Sequence, residues 1–524
     1  MQNIKLLDCT LRDGGYVNNW RFEERNISLI VQKIIQSGIE IIECGYLSTI
    51  DAGEPDTARY SSIKDMNRAY AATKGKNQDY AVMVNFGEYP AELFENADEN
   101  SPIIRVAFHK KDIDKAFAYF NILKEKGYRF YVQPMGALNY TDEEYVQLIK
   151  RTNELNPEAF YIVDSFGVME IKDFKRLLFL SDNNLGANIQ LGYHSHNNLQ
   201  QAYGNSKYMA EQHLDHDIII DASVFGMGRG AGNLNIELFS EYLNQNFHKN
   251  YNIEPFLEVF DECLKPIFIK NFWGYSLPFY LSSIHNCHPN YASYFSEKNT
   301  LSVKSMHELL NMIAEEDKAS FSEGKAATYY QKYQENWIDD KDALDVIKSA
   351  VAERKVLVLA PGYSLKKNIS EIKSFISSEN PVIFGVNKTA DDYSYDFLFV
   401  ANEKRISDKL PQNVNSLIVT SNLNRINKSG ICVNYSSYLC SSDKISDNPT
   451  LMLINMLTSI GVREIFIAGF DGFSANPDEN YFSTDMSLGS KLVTKMTKNS
   501  IIKEHVSKLK EQIDLEFLTD SLYL

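Results

Sequence analysis

Two short motifs, far apart in the sequence, carry side chains of the types that can bind divalent metal ions. The stretch Leu7–Gly15 contains Arg12 and Asp13, which offer a fixed cation for an oxyanion next to a hard oxygen ligand. Taken alone, this motif is explained as well by a turn with a solvated Arg–Asp pair. The second motif supplies His194 and His196. Because residues two apart in a strand point the same way, both imidazoles face one side.

Together these side chains form a mixed nitrogen and oxygen ligand set. Two histidines alone are weak evidence, but two neutral imidazoles with Asp13 can hold Zn, Mn, Fe, Co or Mg. The glycine-rich stretch Gly226–Asn233 follows another apolar strand. Its glycines let backbone amides approach a ligand closely, or permit a tight turn before a helix. Asn233 could add a further oxygen ligand to the same metal centre.

Two further features could serve this site, and each has a structural alternative. Glu43 ends the second apolar strand, where it could contact a substrate or form a structural hydrogen bond inside the protein. The stretch His285–Tyr291 is unusual in a helical region because it holds two histidines and a cysteine. It could fold as a lid over the site or form a turn with satisfied polar groups.

The metal-binding motifs lie where apolar strands give way to loops. Residues 1–250 alternate between strands and amphipathic helices in about eight units, the pattern of a (β/α)8 TIM barrel. The predicted strands are Ile4–Leu7, Ile39–Cys44, Tyr80–Asn85, Ile103–Phe108, Phe130–Gln133, Phe160–Val163, Ile189–Tyr193 and Ile218–Val224. Since the active site of such a barrel lies at the carboxyl ends of its strands, we expect the motifs to meet at one rim.

The rest of the chain changes composition twice. Residues 251–348 show helical patterns rich in Phe and Tyr and are predicted to form a helical extension of the barrel. Residues 354–524 return to short buried strands, which predict a separate open-sheet, Rossmann-like α/β domain. These strands are predicted at Val356–Leu359, Pro381–Val386, Phe397–Val400, Ser416–Val419 and Glu464–Ala468.

Composition narrows the classes of function. The 524 residues carry a net charge of −16 and a pI of about 5.2, which argue against a nucleic-acid or anionic-membrane surface. No run approaches the ~18 apolar residues of a transmembrane helix, and the first residues lack a signal-peptide pattern. The six cysteines are scattered without Cys-x-x-Cys spacing, as in a reducing compartment. We expect a cytoplasmic protein without a membrane span.

The N-terminal half resembles the pyruvate-carboxyltransferase-like superfamily of metal-dependent TIM-barrel lyases. Members include hydroxymethylglutaryl-CoA lyase, isopropylmalate and homocitrate synthases, and 4-hydroxy-2-oxovalerate aldolase. The matching pieces, in family order, are Thr10–Gly14, His194–Leu199 and the glycine loop that ends at Asn233. The His194–Leu199 motif is closer to the hydroxy-oxovalerate aldolases than to the thioester-condensing synthases.

This resemblance implies roles for individual residues. It implies a divalent metal ion at the family's ligand positions, which here are Asp13, His194, His196 and, as in some members, Asn233. It also implies that Arg12 steadies the enolate oxygen of a 2-oxo acid. In the aldolases the first motif continues to a catalytic histidine, and this chain has Tyr16 at that place. A tyrosine of lowered pKa could act as acid or base there, or another group could move the proton.

The C-terminal part more weakly resembles bacterial sialyltransferases and related nucleotide-binding domains. The similar pieces are Leu359–Leu365, Gly385–Asn387 and Glu464–Asp471. In those proteins a glycine–serine turn and an asparagine hold the nucleotide, which implies nucleotide binding here by Gly362, Ser364 and Asn387. A purely structural α/β domain stays an alternative.

The sequence therefore predicts a metal-dependent aldolase or lyase that acts next to the keto group of a 2-oxo acid, with an aldehyde as partner and Mn, Mg, Zn or Co as the ion. Its fusion to a nucleotide- or nucleotide-sugar-binding domain suggests sugar synthesis for a surface polysaccharide. We also expect a homo-oligomer. Two alternatives stay open: a Claisen-type acyl transferase that uses an acyl-CoA, and a binding or scaffold protein with a degenerate barrel. The retained ligands Asp13, His194 and His196 speak against the second, and Tyr16 speaks mildly for it.

Overall fold

The computed structural model describes residues 3–70, 75, 77–406, 409–424, 430–474, 476, 479–483 and 492–524. The chain divides into two compact units, Met1–Asn290 and Tyr291–Leu524. The predicted helical segment 251–348 extends across this division, so that its helices belong partly to each unit.

The first unit is built on a closed barrel of parallel strands. Its strands are β1 (Ile4–Asp8), β2 (Ile41–Leu47), β3 (Arg59–Tyr60), β4 (Asp79–Asn85), β5 (Ile103–Phe108), β6 (Phe130–Pro134), β7 (Ala159–Asp164), β8 (Gln190–Ser195) and β9 (Ile218–Ala222). They are ordered β1-β9-β8-β7-β6-β5-β4-β2-β3, and an additional pairing of β1 with β2 closes the barrel. The two-residue β3 pairs beside the last two residues of β2, and the eight remaining strands confirm the predicted (β/α)8 barrel.

Helices cover the outside of this barrel. The short α1 (Gly15–Asn18) belongs to the loop after β1, and the outer helices are α2 (Glu24–Ser37), α3 (Ile63–Tyr70), α4 (Ile113–Glu125), α5 (Asp142–Leu155), α6 (Ile171–Asn184), α7 (Ala202–Glu211) and α8 (Ile236–Phe247). In α2 the buried residues Ile27, Ile30 and Ile34 recur at helical spacing, which turns one apolar face toward the strands. With helices outside and side chains inside, all seven residues of β2 are buried.

Further helices follow the barrel within the first unit. They are α9 (Glu254–Val259), α10 (Lys265–Lys270) and α11 (Leu277–Ile284), and α12 (Pro289–Lys298) begins at the unit's end. One turn of π-helix, Phe260–Leu264, connects α9 to α10. The indole Nε1 of Trp273 donates a 2.9 Å hydrogen bond to the carbonyl of Phe225 in the loop after β9. This contact fastens the extension to the carboxyl-terminal rim of the barrel.

The second unit contains an open, all-parallel sheet. Its strands are β10 (Val356–Leu359), β11 (Val382–Val386), β12 (Tyr395–Val400), β13 (Val414–Thr420), β14 (Ile431–Val433), β15 (Glu464–Ala468) and β16 (Asp514–Phe517). Its helices are α13 (Val303–Asn311), α14 (Glu315–Lys318), α15 (Glu323–Gln334), α16 (Lys341–Val351), α17 (Ser364–Lys367), α18 (Ile369–Glu379), α19 (Pro449–Ser459) and α20 (Leu492–Lys510). The sheet order β14-β13-β12-β11-β10-β15-β16 reverses direction at β10. Such a reversal opens a crevice at the carboxyl ends of the strands.

The predicted α/β domain is therefore present, with two strands, β14 and β16, that the sequence patterns did not predict. Across the described ranges, none of the helices has the length and apolar character needed to cross a bilayer.

Candidate metal centre

The loop after β1 is a compact turn that places Arg12 and Asp13 at the rim. The amide of Asp13 donates to the carbonyl of Cys9 at 2.8 Å, and the indole of Trp20 donates to the carbonyl of Arg12 at 2.7 Å. Both side chains are buried. The turn therefore directs them into the barrel mouth. They are not the solvated Arg–Asp pair that was the alternative explanation of this motif.

Asp13 meets both predicted histidines at this rim. Oδ2 of Asp13 lies 3.9 Å from Nε2 of His194 and 3.6 Å from Nδ1 of His196. One ligand atom from each of the three buried residues lies within 4.8 Å of the other two. The two histidines come from the end of β8 and the carboxylate comes from the end of β1, so strand ends bring the predicted ligand types together.

The donor atoms fit a divalent cation. Nδ1 of His194 is 2.9 Å from the carboxylate of Asp221, which fixes the ring and leaves Nε2 for a metal. Nδ1 of His196 and Oδ1 of Asn233 are buried without a hydrogen-bond partner in the described part of the chain. Two neutral imidazoles, a carboxylate and an amide oxygen are a ligand set suited to Mn, Co, Zn or Mg.

Ionisation in the site agrees with this fit. Burial lowers the pKa of His196 to about 3, so that its imidazole is neutral and able to bind a metal at pH 7. Burial opposes the ionisation of Asp13, but Arg12 and the two histidines hold the pKa of that carboxyl well below its usual range. Asp13 is therefore a carboxylate at all physiological pH values.

A chain of buried charges supports the ligands from inside the barrel. Nε of Arg12 donates to Glu43 at 2.7 Å, and the other oxygen of Glu43 forms a 2.7 Å ion pair with Arg105. Arg105 in turn pairs with Asp221, the residue that orients His194. Both oxygens of Glu43 are thus engaged by arginines. This is the structural role that was the alternative to substrate contact.

Arg105 and Asp221 were not among the site residues predicted from the sequence. Each lies inside an apolar run that was interpreted only as a strand, and each is completely or almost completely buried. A charged residue in the middle of such a run was the available signal, because a buried charge needs a partner.

Tyr16 lies at the mouth, beside the ligands. Its hydroxyl is 2.9 Å from the hydroxyl of Tyr46, and its ring packs edge-on against Trp20. The guanidinium carbon of Arg229 lies 5.4 Å from the centre of the Tyr16 ring. Tyr16 is half-buried, so that one side of it remains open to a substrate.

The glycine loop after β9 carries Asn233 to the site. Asn233 forms an isolated backbone bridge with His196, and its amide nitrogen donates to Asp13. Gly232 has a φ of +82°, and a Cβ there would lie 2.0 Å from the carbonyl oxygen of Gly226. Only glycine fits this close approach. The loop is therefore built to bring Asn233 against the histidines.

The His285–Tyr291 stretch also reaches this loop. Nη1 of Arg229 lies 3.1 Å from Nε2 of His288, and Nη2 of Arg229 donates to the carbonyl of Ser165 at 3.0 Å. The extension after the barrel thus contributes a side chain to the rim, and a lid over the site stays a prediction.

In the second unit, two of the three predicted nucleotide-binding residues line a common cavity and the third does not. Gly362 and Asn387 line a cavity of about 200 Å³ at the carboxyl ends of β10 and β11. Ser364 does not line it. The backbone amide of Ser364 donates to the carboxylate of Asp471 at 2.7 Å, and its hydroxyl donates to the same carboxylate. A carboxylate of the protein therefore takes the place that was expected for a phosphate.

Comparisons with known proteins concern the barrel. The HMGL-like family matches residues 3–261. A 4-hydroxy-2-oxovalerate aldolase from Geobacillus genomosp. 3 is 29% identical over 247 residues, which cover 47% of this chain and 71% of that protein. A second 4-hydroxy-2-oxovalerate aldolase, from Chloroflexus aggregans, is 28% identical over 266 residues, which cover 50% of this chain and 73% of that protein.

A solved structure agrees with the fold. The carboxyl transferase domain of Rhizobium etli pyruvate carboxylase, determined with pyruvate, matches with a TM-score of 0.50 and 12% identity, and the match covers 63% of this chain and 61% of that one. The family match confirms the resemblance that the N-terminal motifs carry. The C-terminal resemblance to sialyltransferases stays a prediction.

Proposed function

Residues 3–261 belong to the HMGL-like family, and from this premise we propose that the barrel is a divalent-metal-dependent aldolase that makes or breaks a carbon–carbon bond next to the keto group of a 2-oxo acid. The observation that carries the proposal is the convergence of Asp13, His194 and His196, with Arg12 beside them, at the carboxyl-terminal rim. The names of the relatives support an aldolase with pyruvate as the enolate precursor.

Asp13, His194, His196 and Asn233 would hold the ion, which when bound supplies an electrophile that draws electron density from the keto group. Arg12 supplies the second positive charge. Its Nε and Nη1 donate to Glu43 and Asp13. Its Nη2 lies 3.4 Å from Nδ1 of His194, but that nitrogen points its proton at Asp221 and cannot accept. Nη2 of Arg12 is therefore left for the enolate oxygen.

Proton transfer is assigned to Tyr16. In the condensing direction the enolate carbon attacks the aldehyde carbon, and the aldehyde oxygen takes up a proton to become a hydroxyl. The hydroxyl of Tyr16, held 2.9 Å from that of Tyr46, can give that proton. The tyrosinate left behind takes up the methyl proton that the next pyruvate loses on enolisation, so that one proton is released and one is consumed per turnover. Glu43 is a positioning residue in this scheme, because it acts on the reaction through Arg12.

Exchange of pyruvate's methyl protons tests the enolisation step. Full-length protein is stripped of metal with a chelator, mixed with pyruvate and Mn²⁺, Mg²⁺, Zn²⁺ or Co²⁺ in deuterated water, and followed by proton NMR. We expect exchange only with an ion present. His194→Ala should lose both ion and exchange, whereas the exposed His213 serves as the matched control through His213→Ala. Arg12→Lys should keep the ion and lose roughly 10²–10³ in rate, the scale of one oxyanion donor.

Absence of exchange with all four ions, or a His194→Ala protein that keeps both its metal and its rate, would contradict the proposal. A second arm separates the two bond-forming chemistries. An aldolase condenses pyruvate with propanal, whereas a Claisen-type acyl transferase consumes acetyl-CoA and releases free CoA.

For the second unit, a cavity at the reversal of the sheet favours nucleotide or nucleotide-sugar binding. It is lined by Gly362 and Asn387 and by the cationic side chains of Lys444 and Lys498, which suit a phosphate. Calorimetric titration of the full-length protein with CMP, CDP, UDP and GDP tests this. We expect Lys498→Gln to weaken the nucleotide that binds by about tenfold, and Lys503→Gln, on the same helix outside the cavity, to leave it unchanged. If none of the four binds, the structural alternative holds.

The pairing of the two units leads us to propose a wider role. An enzyme that extends a carbon chain, in one polypeptide with a nucleotide-sugar site, suits the synthesis of an unusual sugar for a surface polysaccharide. A cytoplasmic location and a homo-oligomeric state belong to the same proposal.

A further inference from the structure

We propose that Arg229 recognises an anionic group, a carboxylate or a phosphate, on the aldehyde that reacts with the 2-oxo acid. This inference rests on the proposed aldolase function and names the class of its second substrate. It concerns a residue of the glycine loop that neither the metal ligands nor the enolate step uses.

Arg229 lies at the mouth of the metal centre. It is half-buried, it faces the ring of Tyr16, and it belongs to the same loop as Asn233, which pairs with His196. Arg229 is thus placed to meet a substituent that extends from the reacting carbons toward solvent.

The partners of Arg229 hold it without neutralising it. Nη2 donates to the carbonyl of Ser165, and Nη1 lies 3.1 Å from Nε2 of His288. Burial lowers the pKa of His288 to about 3, so that this imidazole is neutral. In the described ranges no carboxylate forms an ion pair with Arg229, and its Nε is buried without a hydrogen-bond partner. The guanidinium therefore keeps its full charge and an unused donor.

The other two arginines of the site are already committed. Arg105 is completely buried and pairs with Glu43 and Asp221. Arg12 pairs with Glu43 and Asp13, and its remaining donor is assigned to the enolate oxygen. An anionic group on the second substrate would find its complementary charge at Arg229. Guanidinium groups are well suited to this, because their planar fork matches the oxygens of carboxylates and phosphates.

Substrate preference tests the assignment. The full-length, Mn²⁺-loaded protein is assayed for condensation of pyruvate with succinic semialdehyde, glyceraldehyde 3-phosphate and butanal, which present a carboxylate, a phosphate and no charge. We expect kcat/KM for one anionic aldehyde to exceed that for butanal by roughly 10- to 100-fold, the range for one hydrogen-bonded charge pair. Which anionic aldehyde is preferred identifies the group.

Three variants test whether Arg229 causes the preference for an anionic aldehyde. Arg229→Gln should remove most of it by raising KM for the anionic aldehyde, and Arg229→Lys should keep a part. Arg176→Gln is the matched control, because Arg176 lies on the outer helix α6 paired with Asp142 and should change nothing. Circular dichroism and metal content establish that each variant is folded and loaded.

The outcomes separate this inference from the function on which it rests. If the wild-type protein exchanges the methyl protons of pyruvate but uses butanal as well as both anionic aldehydes, the inference is wrong and the aldolase proposal stands. The same holds if Arg229→Gln and Arg229→Lys both keep the full preference. If the wild-type protein neither exchanges nor condenses, the aldolase proposal fails and the inference fails with it.

Discussion

Asp221 decides which nitrogen of His194 is free to bind a metal ion. Its carboxylate lies 2.9 Å from Nδ1 of that ring and also pairs with Arg105. Asp221→Asn removes the charge and keeps the size of the side chain. We expect the affinity for the ion to fall by about 10- to 100-fold, the usual effect of losing such a supporting carboxylate. Competition with a chelator measures it.

The control for this substitution is Asp217→Asn, at the residue directly before β9 and four residues before Asp221. Asp217 is exposed and accepts a hydrogen bond from the amide of Asn3. Its substitution should leave the metal affinity unchanged. Equal affinities in wild-type and Asp221→Asn proteins would show that the ring of His194 is oriented by something else.

Asp8 makes the stability of the barrel depend on pH. Burial, with a smaller contribution from Glu43, raises the pKa of Asp8 to about 7, although hydrogen bonds from Thr10 oppose the shift. The folded state thus favours the protonated form. Its stabilising contribution is complete below the unfolded pKa of 3.8 and is lost as the pH rises toward 7.

The variant Asp8→Asn cannot ionise and should not show this loss. We expect the free energy of unfolding of the wild-type protein to fall, relative to Asp8→Asn, by about 1.4 kcal/mol per pH unit between pH 4 and pH 7. Above pH 7 the difference should be constant. Urea unfolding of both proteins at pH 5, 6, 7 and 8 measures it, and parallel curves across the whole range would exclude Asp8 as the cause.

Sequence reasoning at this scale found the residues with a recognisable chemistry. Asp13, His194 and His196 stood in motifs at strand ends, and a barrel brings strand ends together. Arg105 and Asp221 were missed, because their importance depends on which strands are neighbours, and Arg229 was recognised only as part of the glycine loop. Only the closed sheet places β5 and β9 so that Arg105 can reach Asp221 across the interior.

At the scale of elements, the glycine loop after β9 is the most constrained piece of the site. Gly232→Ala forces a Cβ to within 2.0 Å of the carbonyl oxygen of Gly226, at a φ of +82°. We expect this variant to lose metal binding and activity because Asn233 is displaced, while the circular dichroism spectrum of the barrel is retained.

Gly204→Ala is the matched control. Gly204 lies within α7, where a Cβ would meet no atom within 4 Å. This variant should gain up to about 1 kcal/mol of stability from helix propensity and keep full activity. A Gly232→Ala protein that binds metal as the wild type does would show that the loop can relax.

All eight barrel strands and five strands of the second sheet were predictable, because each is a short apolar run bounded by polar residues. The two missed strands lie at the edges of the second sheet. β14 has three residues, and β16 alternates polar and apolar side chains directly after the long helix α20. An edge strand is held by pairing with a single neighbour, and the local sequence pattern does not show that neighbour.

At the scale of the whole molecule, the division falls at residues 290 and 291, whereas the composition changes near residue 354. The reason lies in the helices between these points. Ile347 and Val351 of α16 are part of the core of the second unit, beside Val356 of β10. Helical periodicity shows that a helix has an apolar face but does not show which sheet that face covers.

A chain that ends at Asn290 should therefore fold and keep the metal centre. Every residue placed in that centre, including His288, lies within the first unit. We expect metal-dependent exchange of pyruvate's methyl protons within about threefold of the full-length rate, since compact units of this size fold alone. A truncated protein that is folded by circular dichroism but inactive would show that catalysis needs the second unit.

The closure of the barrel has a consequence for how the protein opens. β1 pairs with β9 over five residues but with β2 over only two, Leu7 with Ile41 and Asp8 with Ile42. Cys9 follows directly, fully buried, and its thiol donates to the carbonyl of Ala222. A thiol reagent can reach this sulfur only when β1 separates from its neighbouring strands. The rate at which Cys9 is alkylated, measured by peptide mass spectrometry, therefore reports how often the barrel opens at β1. A metal ion bound at Asp13 should lower this alkylation rate.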